Sequence, residues 1–294
     1  MSNITTDRSK AICWFSCGAA SATATMIASW TYDIEVAYCR VVEEHPDSMR
    51  FLDDFTRLTG IPVTVLVNER YEGSIYNVFR DRKFIKSQHG APCTGMLKKN
   101  VRHGYTFDKC DRIQVFGYTT DESDRAQRFL DNNIEVNADF ILQRLGFSKK
   151  DCFAFLRIHG LELPEMYKLG YNNNNCIGCV KGGMGYWNKI RKDFPETFEK
   201  MARLEREIGH AVNKDKDGPV YLDQLDPTRG RFKDDAPGDC GFTCEARKLS
   251  QTTSRPGGTS SLSPTARTPA SRNGTADTRH SRTPPPCSPG GVWA

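Results

Sequence analysis

A strand-like run that passes through a short turn into a helix of small residues constrains this chain most. Ala11–Phe15 reads AICWF, and Ala19–Trp30 consists mainly of Ala, Ser and Thr, with Ser16, Cys17 and Gly18 between them. Backbone N–H groups at a helix N-terminus point outward and favour an anion there. The stretch therefore indicates either a phosphate-binding loop or a plain strand-to-helix turn, and the loop by itself does not decide between them.

Strand-like and helix-like segments alternate through the first half of the chain. The predicted strands are Ala11–Phe15, Glu35–Cys39, Ile61–Val67 and Ile113–Gly117, and the predicted helices are Ala19–Trp30, Ser48–Thr59 and Asp121–Leu130. This alternation predicts an α/β fold with a parallel sheet flanked by helices. Ligands of such sheets bind at the carboxyl ends of the strands.

The chain divides into three parts by composition. Residues 1–145 are expected to form the α/β nucleotide-binding part and residues 146–249 a less regular, helical and cysteine-containing part. In the latter, helices are predicted at Lys149–His159 and Phe194–Ile208, with Asp193 and Glu196 at the spacing of a capping box. Residues 250–294 hold 28 Ser, Thr, Pro and Gly among 45 residues, a composition that predicts disorder.

Charge and cysteine content bound the function. The formal net charge is +5, and residues 250–294 contribute five Arg against one Asp, so the overall charge supports nucleic-acid binding only weakly. The N-terminal residues lack the pattern of a signal peptide, and Ala11–Trp30 lacks the long apolar run of a membrane span. We therefore expect a cytoplasmic protein without a membrane contact. Its 11 cysteines then indicate metal binding or redox chemistry rather than a disulfide framework.

Five ordered stretches resemble one enzyme family. The loop Ser16–Ser21 reads SCGAAS, and downstream follow EEHPDSMRFLDDF, APCTGMLKK, VFGYTTDESDRAQR and LPEMYKLGYNNNNCIGCVKGG. In this order they resemble the phosphoadenosine phosphosulfate (PAPS) reductase family of the adenine nucleotide α-hydrolase-like (PP-loop) superfamily, in the compact form carried by bacteriophages and mobile elements. The resemblance implies a Rossmann-like fold and an adenine nucleotide, either ATP or an adenylylated sulfate (PAPS or APS).

The resemblance also assigns residues. It implies that the nucleotide phosphates are held by the loop and two lysines, namely Ser16, Cys17, Gly18, Ala19, Ser21, Lys98 and Lys181. It makes Cys93, Glu122 and Arg125 the candidate catalytic residues. The chain departs from the ATP pyrophosphatase pattern at Cys17 and Ala20, where that branch has a second Gly and an Asp that helps to hold Mg²⁺. Cleavage of ATP is therefore in doubt.

Cys176 and Cys179 stand at a spacing that can clamp one metal ion. Cys93, Cys240 and Cys244 are the candidates to complete the site. The iron–sulfur branches of the family imply a [4Fe-4S] cluster at Cys93, Cys176 and Cys179, whereas zinc bound by Cys176, Cys179, Cys240 and Cys244 is an alternative, as are reduced thiols that stabilise a turn. Four other cysteines are expected to be structural: Cys13, Cys39, Cys110 and Cys152.

Cys17 has two interpretations. A thiol at a helix N-terminus has a lowered pKa, which would make Cys17 reactive, and packing in the core is the alternative. The Lys181-Gly182-Gly183 turn likewise either admits an anion or is a flexible turn.

Three interpretations of the function remain open. One is an enzyme that performs sulfur chemistry, either reduction of a sulfonucleotide with a thiol reductant or ATP-dependent sulfur transfer from a sulfur donor to a nucleic acid. The other is a nucleotide- and metal-binding interaction protein without turnover. A structural zinc protein without a nucleotide is the third and plainest interpretation.

Overall fold

Five parallel strands form the central sheet of the computed structural model, which describes residues 8–87, 89–238 and 240. They are β1 (Lys10–Phe15), β2 (Asp33–Cys39), β3 (Thr64–Leu66), β4 (Ile113–Phe116) and β5 (Ala138–Asp139). Their order across the sheet is β3-β2-β1-β4-β5, and every neighbouring pair is parallel. The predicted α/β fold with a parallel sheet is confirmed.

Helices connect the strands of the sheet and continue after β5 in the described chain. They are α1 (Ala19–Thr31), α2 (Asp47–Thr59), α3 (Ile75–Arg82), α4 (Pro92–Thr94), α5 (Asn100–Thr106), α6 (Ser123–Asn132), α7 (Ile141–Arg144), α8 (Lys149–Ile158), α9 (Glu165–Lys168), α10 (Met184–Asp193), α11 (Pro195–Ile208) and α12 (Phe232–Asp235). A π-helical turn, Gly95–Lys99, joins α4 to α5. A two-stranded antiparallel hairpin, β6 (Asn213–Asp215) and β7 (Gly218–Val220), lies outside the main sheet.

β1 is apolar throughout because the sheet buries it on both faces. Ala11, Cys13 and Phe15 point into the core that holds α1, α2 and α8. Ile12 and Trp14 point to the opposite face, into the core that holds α6. A central strand of a parallel sheet has this continuous apolar character, in contrast to the alternation of a half-exposed strand.

Small side chains let α1 lie deep in the protein. Ten of its 13 residues are buried, from Ala19 to Ala28. α2 instead shows one apolar side, and its Phe51 and Phe55 rings lie 6.1 and 4.8 Å from the ring of Phe15. Both helices match their predicted positions to within one residue.

A third core joins two distant parts of the sequence. Residues between β3 and β4, including Phe79 and Leu97, pack with Trp187, Met201 and other residues of the cysteine-containing part. α8, by contrast, packs on α1 in the core of the sheet. Residues from both sides of position 145 thus pack together in each of these two cores.

Several predictions need correction. The strand expected at Ile61–Val67 is only Thr64–Leu66, at the edge of the sheet. The capping box of Asp193 and Glu196 is wrong, because Phe194 occupies the N-cap position, and the Asp193 carboxylate instead accepts hydrogen bonds from Tyr171 and Lys189. Cys110, expected to be buried, is exposed in a turn.

Two further predictions concern a membrane-spanning helix and the disorder of residues 250–294. Within the described residues, no helix combines the length and the apolar character needed to cross a bilayer. The disorder predicted for residues 250–294 lies outside the described residues.

Glu205 on α11 is fully buried and ties two loops together. Its carboxylate accepts hydrogen bonds from the amides of Val212 (2.5 Å) and Leu222 (2.6 Å). Burial raises the pKa of Glu205 from 4.5 to about 7. The folded state therefore binds one more proton than the unfolded state between these two pH values, so this group's contribution to stability falls as the pH rises through that window.

We predict that Glu205→Gln removes this pH dependence. At pH 5 the variant should lose about 1–3 kcal/mol of unfolding free energy, because the amide NH₂ faces one of the two backbone donors. At pH 7 the variant and the wild type should differ less in unfolding free energy than at pH 5. Urea unfolding at both pH values measures this, with the exposed Glu199→Gln on the same helix as the control. An unchanged pH dependence in Glu205→Gln would contradict the assignment.

Candidate functional site

The β1–α1 loop lies at the point where the sheet reverses its strand order. β1 is flanked by β2 on one side and by β4 on the other, so the connections that leave β1 and β4 run to opposite sides. The carboxyl ends of parallel strands meet at one edge, and the crevice at such a reversal is where open α/β sheets bind ligands. The loop, the residues after β2 and the residues after β4 form the candidate site.

Ser21 braces the loop from within. Its hydroxyl accepts hydrogen bonds from the amide and the hydroxyl of Ser16 and donates one to the carbonyl of Gly18, each at 3.0 Å. These three bonds use the full capacity of a hydroxyl group. Ser21 thus shapes the loop and does not offer the hydroxyl donor that its position in the sequence suggested.

The unusual backbone torsion of the loop lies at Cys17 and not at Gly18. Cys17 has a φ of 53°, whereas Gly18 has a φ of −106°, which other residues also adopt. The Cys17 side chain is fully buried. Burial raises its pKa well above the ordinary value, which corrects the lowered pKa considered for a thiol at this position. Only the backbone of Cys17 is placed to meet a ligand.

Several amides at the start of α1 keep their donors. Among the described residues, the amides of Gly18, Ala20 and Ser21 have no hydrogen-bond partner, whereas that of Ala19 is 3.3 Å from the Tyr167 hydroxyl. A Cβ atom at Gly18 would meet no atom closer than 3.4 Å. We call these unpaired donors the open amides; they lie at the positive end of a 13-residue helix.

Asn174, 157 positions from Cys17 in the sequence, contacts the β1–α1 loop. Its side-chain N–H group donates to the carbonyl of Cys17 (2.8 Å) and lies 3.0 Å from the Ser48 hydroxyl. Because a carbonyl can only accept, the orientation of the Asn174 amide is fixed. Its Oδ1 atom is then a buried acceptor without a partner among the described residues. Buried polar atoms are rarely left in this state, so Oδ1 is suited to accept a hydrogen bond from a ligand.

The residues after β4 press directly on α1. A Cβ atom at Gly117 would lie 2.6 Å from the amide nitrogen of Ser21. Beyond it, Glu122 completes a capping box with Thr119 and forms an ion pair with Arg125 (2.5 Å). The two candidate catalytic charges thus lie beside the crevice and are paired with each other.

A buried ion pair lies behind the loop. Lys98 Nζ is 3.2 Å from Glu44 Oε1, and both side chains are at least nine-tenths buried. The Tyr38 hydroxyl also donates to Glu44. Burial alone would lower the pKa of Lys98, but Glu44 and the neighbouring thiols Cys240 and Cys176 outweigh it, so the pKa is raised and the ammonium stays charged.

The CxxC turn is attached to the same pair. Cys176 forms a β-bridge with Glu44, and the amide of Ile177 donates to the carbonyl of Glu43 (2.8 Å). Gly178 has a φ of 74°, which glycine adopts readily and which allows the tight turn between Cys176 and Cys179. The amide of Cys179 donates to the Tyr186 hydroxyl (2.9 Å).

Cys240 reaches this cluster from the other end of the described chain. Its amide donates to Asn175 (2.9 Å), and its carbonyl accepts from Lys98 (3.3 Å). Its sulfur is 3.9 Å from both Thr94 Oγ1 and Lys181 Nζ. The structure therefore brings together Cys176, Cys179, Cys240, Lys98 and Lys181.

The structure brings together only some of the cysteines that were predicted to bind a cluster or zinc. Cys93 is partly exposed on α4, and Cys244 lies outside the described residues. Within the described range, no three His, Cys, Asp or Glu side chains converge as metal ligands. The described residues therefore do not by themselves fit a metal centre, and we route no chemical step through one.

The Lys181-Gly182-Gly183 turn is explained by packing. A Cβ atom at Gly182 would lie 2.1 Å from the Tyr186 ring, and one at Gly183 would lie 2.6 Å from the Asp235 carboxylate. The amide of Gly183 already donates to the carbonyl of Asp235 (2.9 Å). Of this turn, only the Lys181 ammonium faces the thiol cluster.

Sequence reasoning missed the roles of Tyr38, Glu44, Tyr167 and Asn174. Glu44 stood inside the acidic-Pro stretch that carried the family resemblance, which was a usable signal. Asn174 belonged to a run of four Asn that we interpreted only as a turn. Nothing local in the sequence marks Tyr38 or Tyr167 as neighbours of the loop.

No protein-family model matches this chain, and none of the curated proteins matches it. The parallel five-stranded sheet is consistent with Rossmann-like folds, and that is the level at which the family resemblance is supported.

We predict that Gly117→Ala displaces the start of α1. The new methyl group would overlap backbone atoms of Ser21, which cannot move aside as a flexible side chain can. The variant should lose about 1–3 kcal/mol of unfolding free energy. Gly104→Ala, where a Cβ atom meets nothing within 4 Å on α5, is the control and should be neutral or stabilising. Equal unfolding free energies of the two variants would contradict the close contact.

We predict that removal of Lys98 lowers the unfolding free energy, because the Glu44 carboxylate is then buried without a cation. Lys98→Met leaves Glu44 without its cation and should lower the unfolding free energy by about 3–5 kcal/mol. The double variant Lys98→Met with Glu44→Gln should recover part of that loss, because it buries no charge. Urea unfolding of the single and double variants completes the cycle, and strictly additive effects would argue against a coupled pair.

Proposed function

We propose that this chain is an enzyme of the PAPS-reductase type that binds an adenine nucleotide at the β1–α1 loop and performs sulfur chemistry with its cysteines. The observation that carries the proposal is the β1–α1 loop itself, with open amides at the reversal of the strand order. The family resemblance of the five sequence stretches supports the same substrate class.

The loop residues fit the charged end of a nucleotide. Amides at Gly18 and Ala20 can donate to phosphate oxygens, and the start of α1 supplies a favourable dipole. The Ser16 hydroxyl already donates to Ser21, so it keeps only acceptor capacity and does not donate to a phosphate. Asn174 Oδ1 can accept from a hydroxyl or amino group of the same ligand. These contacts would hold the nucleotide without any contribution from the Ser21 hydroxyl.

The thiol cluster suits reduction of an adenylylated sulfate, in which the nucleotide supplies the activated sulfuryl group. One thiolate would attack the sulfur, and the bond from sulfur to the phosphate oxygen would break, which releases the nucleotide. A second thiol would then displace sulfite and form a disulfide, so that two thiols are oxidised and one sulfate is reduced. A thiol reductant would restore the pair. Lys98 and Lys181 lie where a thiolate or a sulfate anion needs positive charge.

Two functions other than sulfonucleotide reduction are also supported by features of the sequence. ATP-dependent sulfur transfer, with a sulfur donor and a nucleic-acid acceptor, agrees with the cluster-binding branches that the CxxC resembles. A nucleotide- and metal-binding protein without turnover is favoured by Ala20, which stands where the ATP-cleaving branch has a carboxylate.

We predict that Gly18→Val abolishes most nucleotide affinity. The valine side chain would cover the open amides, and loss of one charge-assisted hydrogen bond corresponds to about 10- to 150-fold weaker binding. Calorimetric titration with ATP, PAPS and APS measures the change, and Gly104→Val on α5 is the matched control. Unchanged affinity in folded Gly18→Val would overturn the proposed nucleotide site.

Product analysis separates the reactions. Sulfite released from PAPS or APS with a thiol reductant would support reduction, and pyrophosphate released from ATP would support sulfur transfer. Binding without either product would support the non-catalytic alternative. The protein is best purified without oxygen for this experiment, because oxidised thiols would mimic inactivity.

A further inference from the structure

One segment of the chain has no acidic residue. Residues 82–107 contain six Lys and Arg, two His and not one Asp or Glu, whereas 36 acidic residues in 294 would place about three in a segment of this length. The positive charge of the protein is therefore concentrated locally, although its overall charge is modest. Lys98 and Arg102 are buried, and Lys86 donates to the carbonyl of Gly182. The cations that the segment can offer to a polyanion are therefore Arg82, Lys83 and Lys99.

The segment forms one side of the protein near the candidate site. α4, the π-helical turn and α5 run on continuously from Pro92 to Thr106. We call the outward side of this run, together with the end of α3, the cationic face. It consists of Arg82, Lys83, Met96, Lys99, Asn100, His103 and Phe107.

Side-chain contacts make the face continuous. Arg82 Nη2 lies 3.3 Å from the sulfur of Met96, and Asn100 Nδ2 lies 3.7 Å from the same sulfur. The end of α3 is therefore in direct contact with the π-helical turn. The Phe107 ring, 70% exposed, closes the face at the end of α5.

The lysines of this face are not neutralised. Lys83 and Lys99 form no ion pair with any described residue, while Arg82 lies 3.5 Å from its neighbour Asp81. Lys98, next to Lys99 in the chain, points inward to Glu44. Cations at the end of α3 also complement its helix dipole, but Lys99 lies within the continuous run, where the dipole gives no such reason.

We propose that the cationic face binds single-stranded nucleic acid, with phosphates at Lys83 and Lys99 and a base stacked on Phe107. Alternating cations and an exposed aromatic ring are the elements that hold a single strand without sequence preference. The exposed Phe107 ring, two turns beyond Lys99 in the same run, favours a ligand with bases over a purely acidic peptide. A membrane surface would require a broader apolar face than Phe107 and Met96 provide.

The face would place the strand next to the candidate site. Asn68, directly beyond β3, donates to the carbonyl of Met96 (2.8 Å), which attaches this helical run to the carboxyl edge of the sheet. Lys98 reaches the buried cluster from the same turn. This inference adds a partner to the proposed function and does not rest on it, because the binding requires no nucleotide.

Fluorescence anisotropy with labelled 12-residue oligo(dT) and oligo(U) tests the proposal in the absence of nucleotide. Wild-type protein should bind either strand, with affinity that falls as salt rises. Lys83→Gln with Lys99→Gln should lower the slope of log K against log salt by about 1.4, which corresponds to about 25-fold weaker binding at 0.1 M salt. Phe107→Ala should weaken binding by about 5- to 150-fold.

The control is Lys150→Gln with Lys192→Gln, which makes the same charge change at exposed sites on α8 and α10. It should bind as the wild type does. The proposal is overturned if wild type does not bind, if the control loses as much affinity as the test pair, or if Phe107→Ala binds normally. It is also overturned if phosphatidylserine vesicles or polyglutamate bind as tightly through the same lysines. Gly18→Val should retain strand binding, which separates this inference from the nucleotide site.

Discussion

The buried pair of Glu44 and Lys98 is the interaction on which the candidate site depends. Glu44 follows β2 and forms a bridge with Cys176, while Lys98 belongs to the π-helical turn and donates to the carbonyl of Cys240. One ion pair thus connects the sheet, the segment between β3 and β4, the CxxC turn and residue 240. A buried charge without a partner costs several kcal/mol, so each of these segments is held in place by the requirement that the pair stay intact.

The loop in front of the pair is built to keep its amides open. Ser21 and Asn174 donate to the carbonyls of Gly18 and Cys17 and so fix the loop, in which the amides of Gly18, Ala20 and Ser21 have no partner among the described residues. The positive φ of Cys17 directs its thiol into the core, so the surface presented to a ligand is mostly backbone. In the proposed nucleotide site, such a surface would recognise an anion by hydrogen-bond geometry and the helix dipole rather than by a side-chain charge.

Charge is distributed to match this arrangement. The cations of Lys98 and Lys181 point toward the thiols, whereas Lys83 and Lys99 point outward from the adjoining helical run. An enzyme that modifies a polymer needs both kinds of site, one for the reactive small molecule and one for the polymer backbone. The proposed nucleotide site at the β1–α1 loop and the proposed strand-binding face on the helical run would together meet that need.

Local sequence patterns determined the alternation of strands and helices, the β1–α1 loop and the positions of α1 and α2, because period, small residues and apolar runs act over a few neighbouring positions. The same patterns overestimated β3 and misplaced a helix cap, where tertiary contacts of Asp193 outweighed the local signal. Only the tertiary structure decided which side chains meet. Lys98 and Glu44 are 54 positions apart in the chain, Lys98 and Cys240 are 142 apart, and Asn174 and Cys17 are 157 apart. A local sequence pattern cannot predict contacts between residues so far apart in the chain. These contacts form only in the folded protein, where buried charges and amides must have partners.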